Sequence, residues 1–200
     1  MIRPLLICCL LAVAVWQITA ATGVHAKAWL GQVLLERAWS RSLASEQPVA
    51  PWPDAISYPV ARLQVPALEI DHLVLKGADT PVLAWGPGME VGPSGHRIIA
   101  AHRDTHFRFL DRLNEGERVQ LDLVGGDIEH WRVVDQRVVD ARITDINLAA
   151  SGDQMTWVTC WPLDAIEAGG PFRLLVTLSK TIKPDQRTQL VISNSTGVMP

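Results

Sequence analysis

Cysteine, tyrosine and phenylalanine are scarce in this chain of 200 residues, with three Cys, one Tyr and three Phe. Cys8 and Cys9 lie inside an apolar N-terminal run, which leaves Cys160 without an intrachain disulfide partner and excludes a small scaffold held by bridges. A surplus of positive charge is lacking as well. With 18 Lys and Arg against 21 Asp and Glu, the chain has none of the excess a nucleic-acid partner requires, and no such partner is expected. There is no internal repeat, no low-complexity tract and no phosphate-binding glycine loop. Gly86-Pro87-Gly88 and Gly92-Pro93-Ser94-Gly95 read as turns. The length suits one globular domain and is too short for two large ones.

What is present begins with that apolar run. Pro4 to Val24 is long enough, as a helix rising 1.5 Å per residue, to cross a hydrocarbon core of roughly 30 Å. Arg3 and the terminal amine precede it as a short positive region, as in a secretory signal or signal anchor. Val24-His25-Ala26 fits a cleavage site, but the length of the run favours retention. Lys27, Arg37 and Arg41 follow and weaken the charge argument for orientation. The expectation is a single-pass anchor over residues 1–26 in the cytoplasmic (inner) membrane, with the domain outside the cytoplasm. Residues 27–57 then hold an amphipathic helix, with Trp29, Leu30, Val33, Leu34 and Trp39 at helical spacing, and a linker rich in proline. That helix has two readings, one at headgroup depth in the membrane interface and one packed on the domain.

The remaining segment, 58–200, alternates in short runs rich in Val and Ile. They are Val60–Val65, Leu68–Leu75, Arg97–His102, Arg118–Val124, Ile128–Val139, Gln154–Cys160, Arg173–Ser179 and Gln189–Ser193, with Gly125-Gly126-Asp127 as the clearest hairpin turn. About eight strands without regular helices between them predict a mainly all-β domain, an antiparallel barrel or sandwich.

Three residues at strand ends draw attention. Cys160 closes a strand just before Pro162, and although a lone cysteine is ordinarily core packing, a strand end opens onto a loop. Arg173 opens the next strand, so antiparallel pairing brings it beside Cys160, where its donors can stabilise an oxyanion. His102 closes a third strand and can act as acid toward a leaving amine. Together they make a candidate acyl-transfer site. His96, His102 and His106 with Asp104 could instead be read as metal ligands, but a strand followed by a loop holds no converging face, and neither metal nor cofactor is expected. His72 and His130 read as surface or satisfied positions.

This constellation resembles the sortases, membrane-anchored cysteine transpeptidases. The resemblance rests on Ala100-Ala101-His102, on Thr156-Trp157-Val158-Thr159-Cys160 and on Arg173-Leu174-Leu175-Val176 in that order, and it covers residues 60 to about 180. His102 to Phe107 together with Cys160-Trp161-Pro162 looks most like the branch in Gram-negative bacteria. Two departures stand out: Ala101 where sortases commonly have Gly, and Trp157 where they commonly have Leu. The resemblance implies a closed, eight-stranded antiparallel β-barrel with short helices, preceded by the membrane helix. It also implies that a secreted protein with a C-terminal signal like Leu-Pro-x-Thr-Gly is cleaved between Thr and Gly and passed to an amine acceptor. Cys160 would be the nucleophile, Arg173 the oxyanion partner and His102 the acid, with Thr159, Trp157 and Ala101 as substrate-binding positions; the Trp157 ring either fills the core or narrows the substrate groove, and the Thr159 hydroxyl positions the thiol or the substrate. The rival readings are an anchored β-domain that binds an envelope partner without catalysis, a metal-binding envelope protein, and a sortase-like hydrolase that does not transfer.

Overall fold

The computed structural model describes residues 2–145, 151–165 and 169–181. A 44-residue helix, α1 (Ile2–Ser45), leads into eight strands: β1 (Pro59–Val65), β2 (Ile70–Lys76), β3 (Gly88–Val91), β4 (Arg97–Ala100), β5 (Arg118–Leu123), β6 (Ile128–Asp140), β7 (Gln154–Cys160) and β8 (Phe172–Thr181). They close into a barrel in the order β1-β2-β3-β4-β7-β8-β6-β5. The run Gln189–Ser193 lies outside the described residues.

The barrel is not wholly antiparallel. β2 with β3 and β4 with β7 are parallel pairs. The first follows from the crossover that contains the one-turn helix α2 (Thr80–Leu83), and the second from inserting the β5–β6 hairpin between β4 and β7 in sequence. That hairpin turns at Gly125 and Gly126, both at positive φ (106° and 89°), as its sequence predicts.

β3 escaped the sequence pattern because it is four residues long and starts in what reads as a Gly-Pro-Gly turn. Its Gly88 is required by close approach, since a Cβ there would collide with the backbone carbonyl of Gly77.

Alternation along the strands fills the barrel. Ala61, Leu63 and Val65 of β1, Ile99 of β4, Val119 and Leu121 of β5, and Trp131 and Val133 of β6 are all buried in one cluster. Residues i and i+2 share a face, so each inward residue leaves its neighbours on the outer surface.

A second, smaller cluster lies outside the barrel wall. Leu35 and Trp39 of α1 pack on Leu73 and Leu75 of β2 and on Val82, with Trp52 and Trp85 alongside. Arg62 fastens this contact, reaching Glu36 on the helix at 3.1 Å and Asp71 on β2 at 2.6 Å. Trp29 and Leu30, in contrast, are exposed. The segment therefore divides its two sequence readings along its length, with the Leu35–Trp39 turn packed on the domain and Trp29 facing solvent. The proline-rich stretch after the helix is tied at both ends: Val49 N–H donates to Ser42 Oγ of α1, and Ser57 Oγ donates to the Lys76 carbonyl of β2.

The expected membrane segment falls on the first half of α1. Leu10, Leu11, Val13, Val15 and Trp16 in that half are all exposed. Among the described residues no helix is long and apolar enough to cross a membrane.

Candidate active site

Cys160 is the last residue of β7 and Arg173 the second of β8, and the register of the two strands pairs them directly. Trp161 N–H donates to the Phe172 carbonyl at 3.1 Å, which carries the pairing one step past the thiol. Cys160 is half-buried and in no disulfide. Its side chain falls on the same face of β7 as Thr156 and Val158, and Trp157 and Thr159 fall on the other. The thiol thus stands on the outer face of the barrel, at a strand end.

His102 does not close a strand. β4 ends at Ala100, and the chain leaves it through two hydrogen bonds to β7: Ala101 N–H donates to the Val158 carbonyl at 3.2 Å, and Thr159 Oγ1 donates to the Ala101 carbonyl at 2.8 Å. His102 follows on the exposed side of a turn closed by Phe107 N–H donating to its carbonyl at 3.1 Å. β4 and β7 are parallel neighbours, so both end at the same rim, and the topology brings His102, Cys160 and Arg173 to one edge of the barrel.

The three residues expected to line the substrate site, Trp157, Thr159 and Ala101, are all buried. Trp157 is fully buried, stacked on Phe107 at 5.6 Å between ring centroids and edge-on to Phe109 at 6.0 Å. Its large ring fills the barrel core and leaves the outer surface untouched. Thr159 is 3% exposed and donates its hydroxyl proton to the Ala101 carbonyl, so it holds the His102 segment. Ala101 is itself buried, and it is not among the non-glycine residues at positive φ, which explains why a methyl group is tolerated where Gly is common. The outer face beside the thiol is formed instead by Val158 and its registered partner Ala100, both partly exposed.

Arg173 is part-exposed and donates through Nη1 to the carbonyls of Gly170 and Phe172, each at 2.8 Å. These bonds hold the guanidinium at the start of β8, on the strand end registered with Cys160. A fork of five N–H donors can serve an additional acceptor from that position.

The histidines separate into different environments. His96 is buried and bonds Thr156 Oγ1 at 3.0 Å, joining the residue before β4 to β7. His106 meets His72 edge-on at 5.4 Å. Burial pushes His106 down to about 4, with the charges of His72 and His102 acting in the same direction. Burial also lowers His72, against the opposing effect of its hydrogen bond to the His106 backbone. His72 is thus a half-buried partner of the His102 turn, in line with the satisfied position that is one of its two sequence readings. Among the described residues, no three His, Cys, Asp or Glu side chains converge to hold a metal ion.

Sequence reasoning missed Arg103. It is 3% exposed and donates to the carbonyls of Pro162 and Ala165, each at 2.9 Å, and to Asp104 at 3.1 Å. No periodicity marks a buried cation in a loop; the only local signal was its position beside His102.

The model of the sortase domain matches residues 63–181, more than half of the chain. Sortase D of Bacillus subtilis is 25% identical over 119 residues, which are 57% of this chain and 60% of that protein. Among solved structures, sortase C-1 of Actinomyces oris is 28% identical with a TM-score of 0.52, covering 62% of this chain and 75% of its own. Two further structures show the same fold at lower identity. Sortase A of Corynebacterium diphtheriae has a TM-score of 0.56 at 22% identity, covering 79% of this chain and 87% of that one. The sortase D5 transpeptidase of Clostridium perfringens has 0.58 at 19%, covering 76% and 99%. The barrel, the strand-end cysteine and the matched domain lead to one assignment: this chain belongs to the sortase family.

Proposed function

We propose that this protein is a cysteine transpeptidase that cleaves a C-terminal sorting signal like Leu-Pro-x-Thr-Gly and transfers the acyl portion to an amine. The observation that carries the reading is the register pair of Cys160 with Arg173 at the rim where the His102 turn also emerges. A thiol on an exposed strand end, a guanidinium beside it and an imidazole on the adjoining turn supply a nucleophile, an oxyanion partner and an acid.

In the acylation step the Cys160 sulfur attacks the Thr carbonyl carbon. Arg173 stabilises the tetrahedral oxyanion, and the C–N bond breaks as the departing Gly amine takes a proton from His102. The second amine then attacks the thioester, forms the new amide and releases the thiol. Splitting the exchange in two keeps the acyl group activated between the steps. The signal peptide is expected to lie on the outer face of β4 and β7, over Ala100 and Val158, because that is the face Cys160 shares.

The apolar start of α1 supports anchoring in the cytoplasmic membrane, with the barrel outside the cytoplasm, where secreted substrates pass. His102 to Phe107 with Cys160-Trp161-Pro162 supports placement in the Gram-negative branch, and hence in the periplasm.

Intact mass of the full chain in detergent, after incubation with Leu-Pro-x-Thr-Gly peptides, tests the chemistry. An acyl adduct on the wild type and none on Cys160→Ala is the expected result. Release of the adduct by added amines identifies transfer, and release by water alone identifies a hydrolase. An unmodified thiol with every peptide would return the protein to the reading of an envelope-binding β-domain.

A further inference from the structure

Arg103 follows His102 in sequence, yet the two side chains part company: His102 is exposed and Arg103 is 3% exposed. A buried guanidinium without acceptors is costly, so its partners report what it is for. Two of them are main-chain carbonyls of the loop that leaves the nucleophile, Pro162 bonded from Nη1 and Ala165 from Nη2, each at 2.9 Å. Another is the neighbouring carboxylate of Asp104, bonded from Nε at 3.1 Å. The planar fork therefore ties the turn that carries His102 to the segment that begins two residues after Cys160. Side-chain rotation cannot move a main-chain carbonyl away, and an ammonium group lacks the fork that reaches both.

We propose that Arg103 is a positioning residue for acyl transfer, setting His102 against Cys160 so that the imidazole meets the departing amine. The inference rests on the reading of Cys160 as nucleophile and His102 as acid. Thr159 and the Phe107 turn fix the main chain on either side of His102, and Arg103 supplies the link across to the loop after the thiol. Acylation forms the C–S bond, breaks the C–N bond and delivers the His102 proton to the leaving nitrogen. A small displacement of the His102 turn damages the last of these most, because proton transfer requires hydrogen-bond reach.

A leaving group that needs no proton separates this role from general support of the loop. The test compares single-turnover acylation of the full chain, read by intact mass, with two substrates that share the Leu-Pro-x-Thr sequence, with all residues represented at x. One is the amide that continues into Gly and the other a thioester that departs as thiolate. Arg103→Met is expected to lose about tenfold or more with the amide at saturating peptide and less than about threefold with the thioester, with little change in KM. Arg103→Lys should fall between it and the wild type with the amide.

Equal losses on both substrates, or no loss on either, overturn the inference and leave the roles of Cys160 and His102 standing. A wild type that acylates with neither substrate overturns the transpeptidase reading and this inference together. Melting curves accompany each variant. If Arg103→Met does not fold, the amide-to-thioester ratio of Arg103→Lys decides the question in the same way.

Discussion

Cys160 and Arg173 face one another as a registered pair of β7 and β8, the thiol on one strand end and the guanidinium on the other. Antiparallel pairing makes their proximity a property of the backbone. Arg173→Ala is expected to reduce acylation by a factor on the order of 10²–10³, the usual effect of removing an oxyanion donor, with little change in melting temperature because the side chain is part-exposed. Arg173→Lys should recover only part of the rate. Adduct formation by intact mass, beside a melting curve, checks both.

Trp157 gives the opposite pattern. It is fully buried between Phe107 and Phe109, so Trp157→Ala should destabilise the barrel by about 3–5 kcal/mol. Trp157→Leu, the residue sortases commonly carry there, should cost less. At a temperature where Trp157→Leu is folded, acylation should stay within a few-fold of wild type. Denaturant melts and adduct rates on the same samples test the claim, and a large change in KM with normal stability would contradict it.

Gly31 of α1 faces the Trp85 ring, and a Cβ there would collide with it. Ala is the better helix former by about 1 kcal/mol, so propensity alone predicts that Gly31→Ala stabilises. The contact predicts the reverse: a loss of about 1–3 kcal/mol from overpacking, or release of the helix from β2. Gly23→Ala, with nothing within 4 Å of the added methyl, is the matched control and should be neutral or slightly stabilising. Unfolding curves and hydrogen exchange across residues 31–42 distinguish the two outcomes.

The histidine pair sets an acid limit. His106 is held down to about 4 and His72 is also lowered, both chiefly by burial, so the folded state binds their protons less readily than the unfolded chain does. For a depressed histidine the stabilising contribution is complete above its unfolded value near 6.5 and is lost as pH falls from there toward about 4. The melting temperature should therefore drop between pH 6.5 and 4, and it should drop less in His106→Gln. A pH series of thermal melts on both proteins measures the difference; parallel curves would count against the pair as its source.

Much of this protein is determined locally. Alternating Val and Ile runs mark seven of the eight strands, because a half-buried pleated surface imposes its period of two on the sequence. The Gly125-Gly126 turn sets a hairpin through backbone conformation alone. Cys160 and Arg173 were legible as neighbours for the same reason, since two consecutive strands joined by one loop must meet end to start.

Other features required the closed barrel. β3 and both parallel pairings depend on which strands are adjacent in space, and four residues of Gly-Met-Glu-Val carry no period to announce a strand. The motif that holds Trp157 and Thr159 leaves core and substrate-facing readings open, and the pleat turns both residues inward when Cys160 points out. The Thr159 hydroxyl finds its acceptor 58 positions away at Ala101, and Arg103 finds one of its own 62 positions away at Ala165. Local pattern encodes which face of a strand is apolar. Contacts across such separations exist only after the sheet has closed, and they are what place the His102 turn against the loop that leaves the thiol.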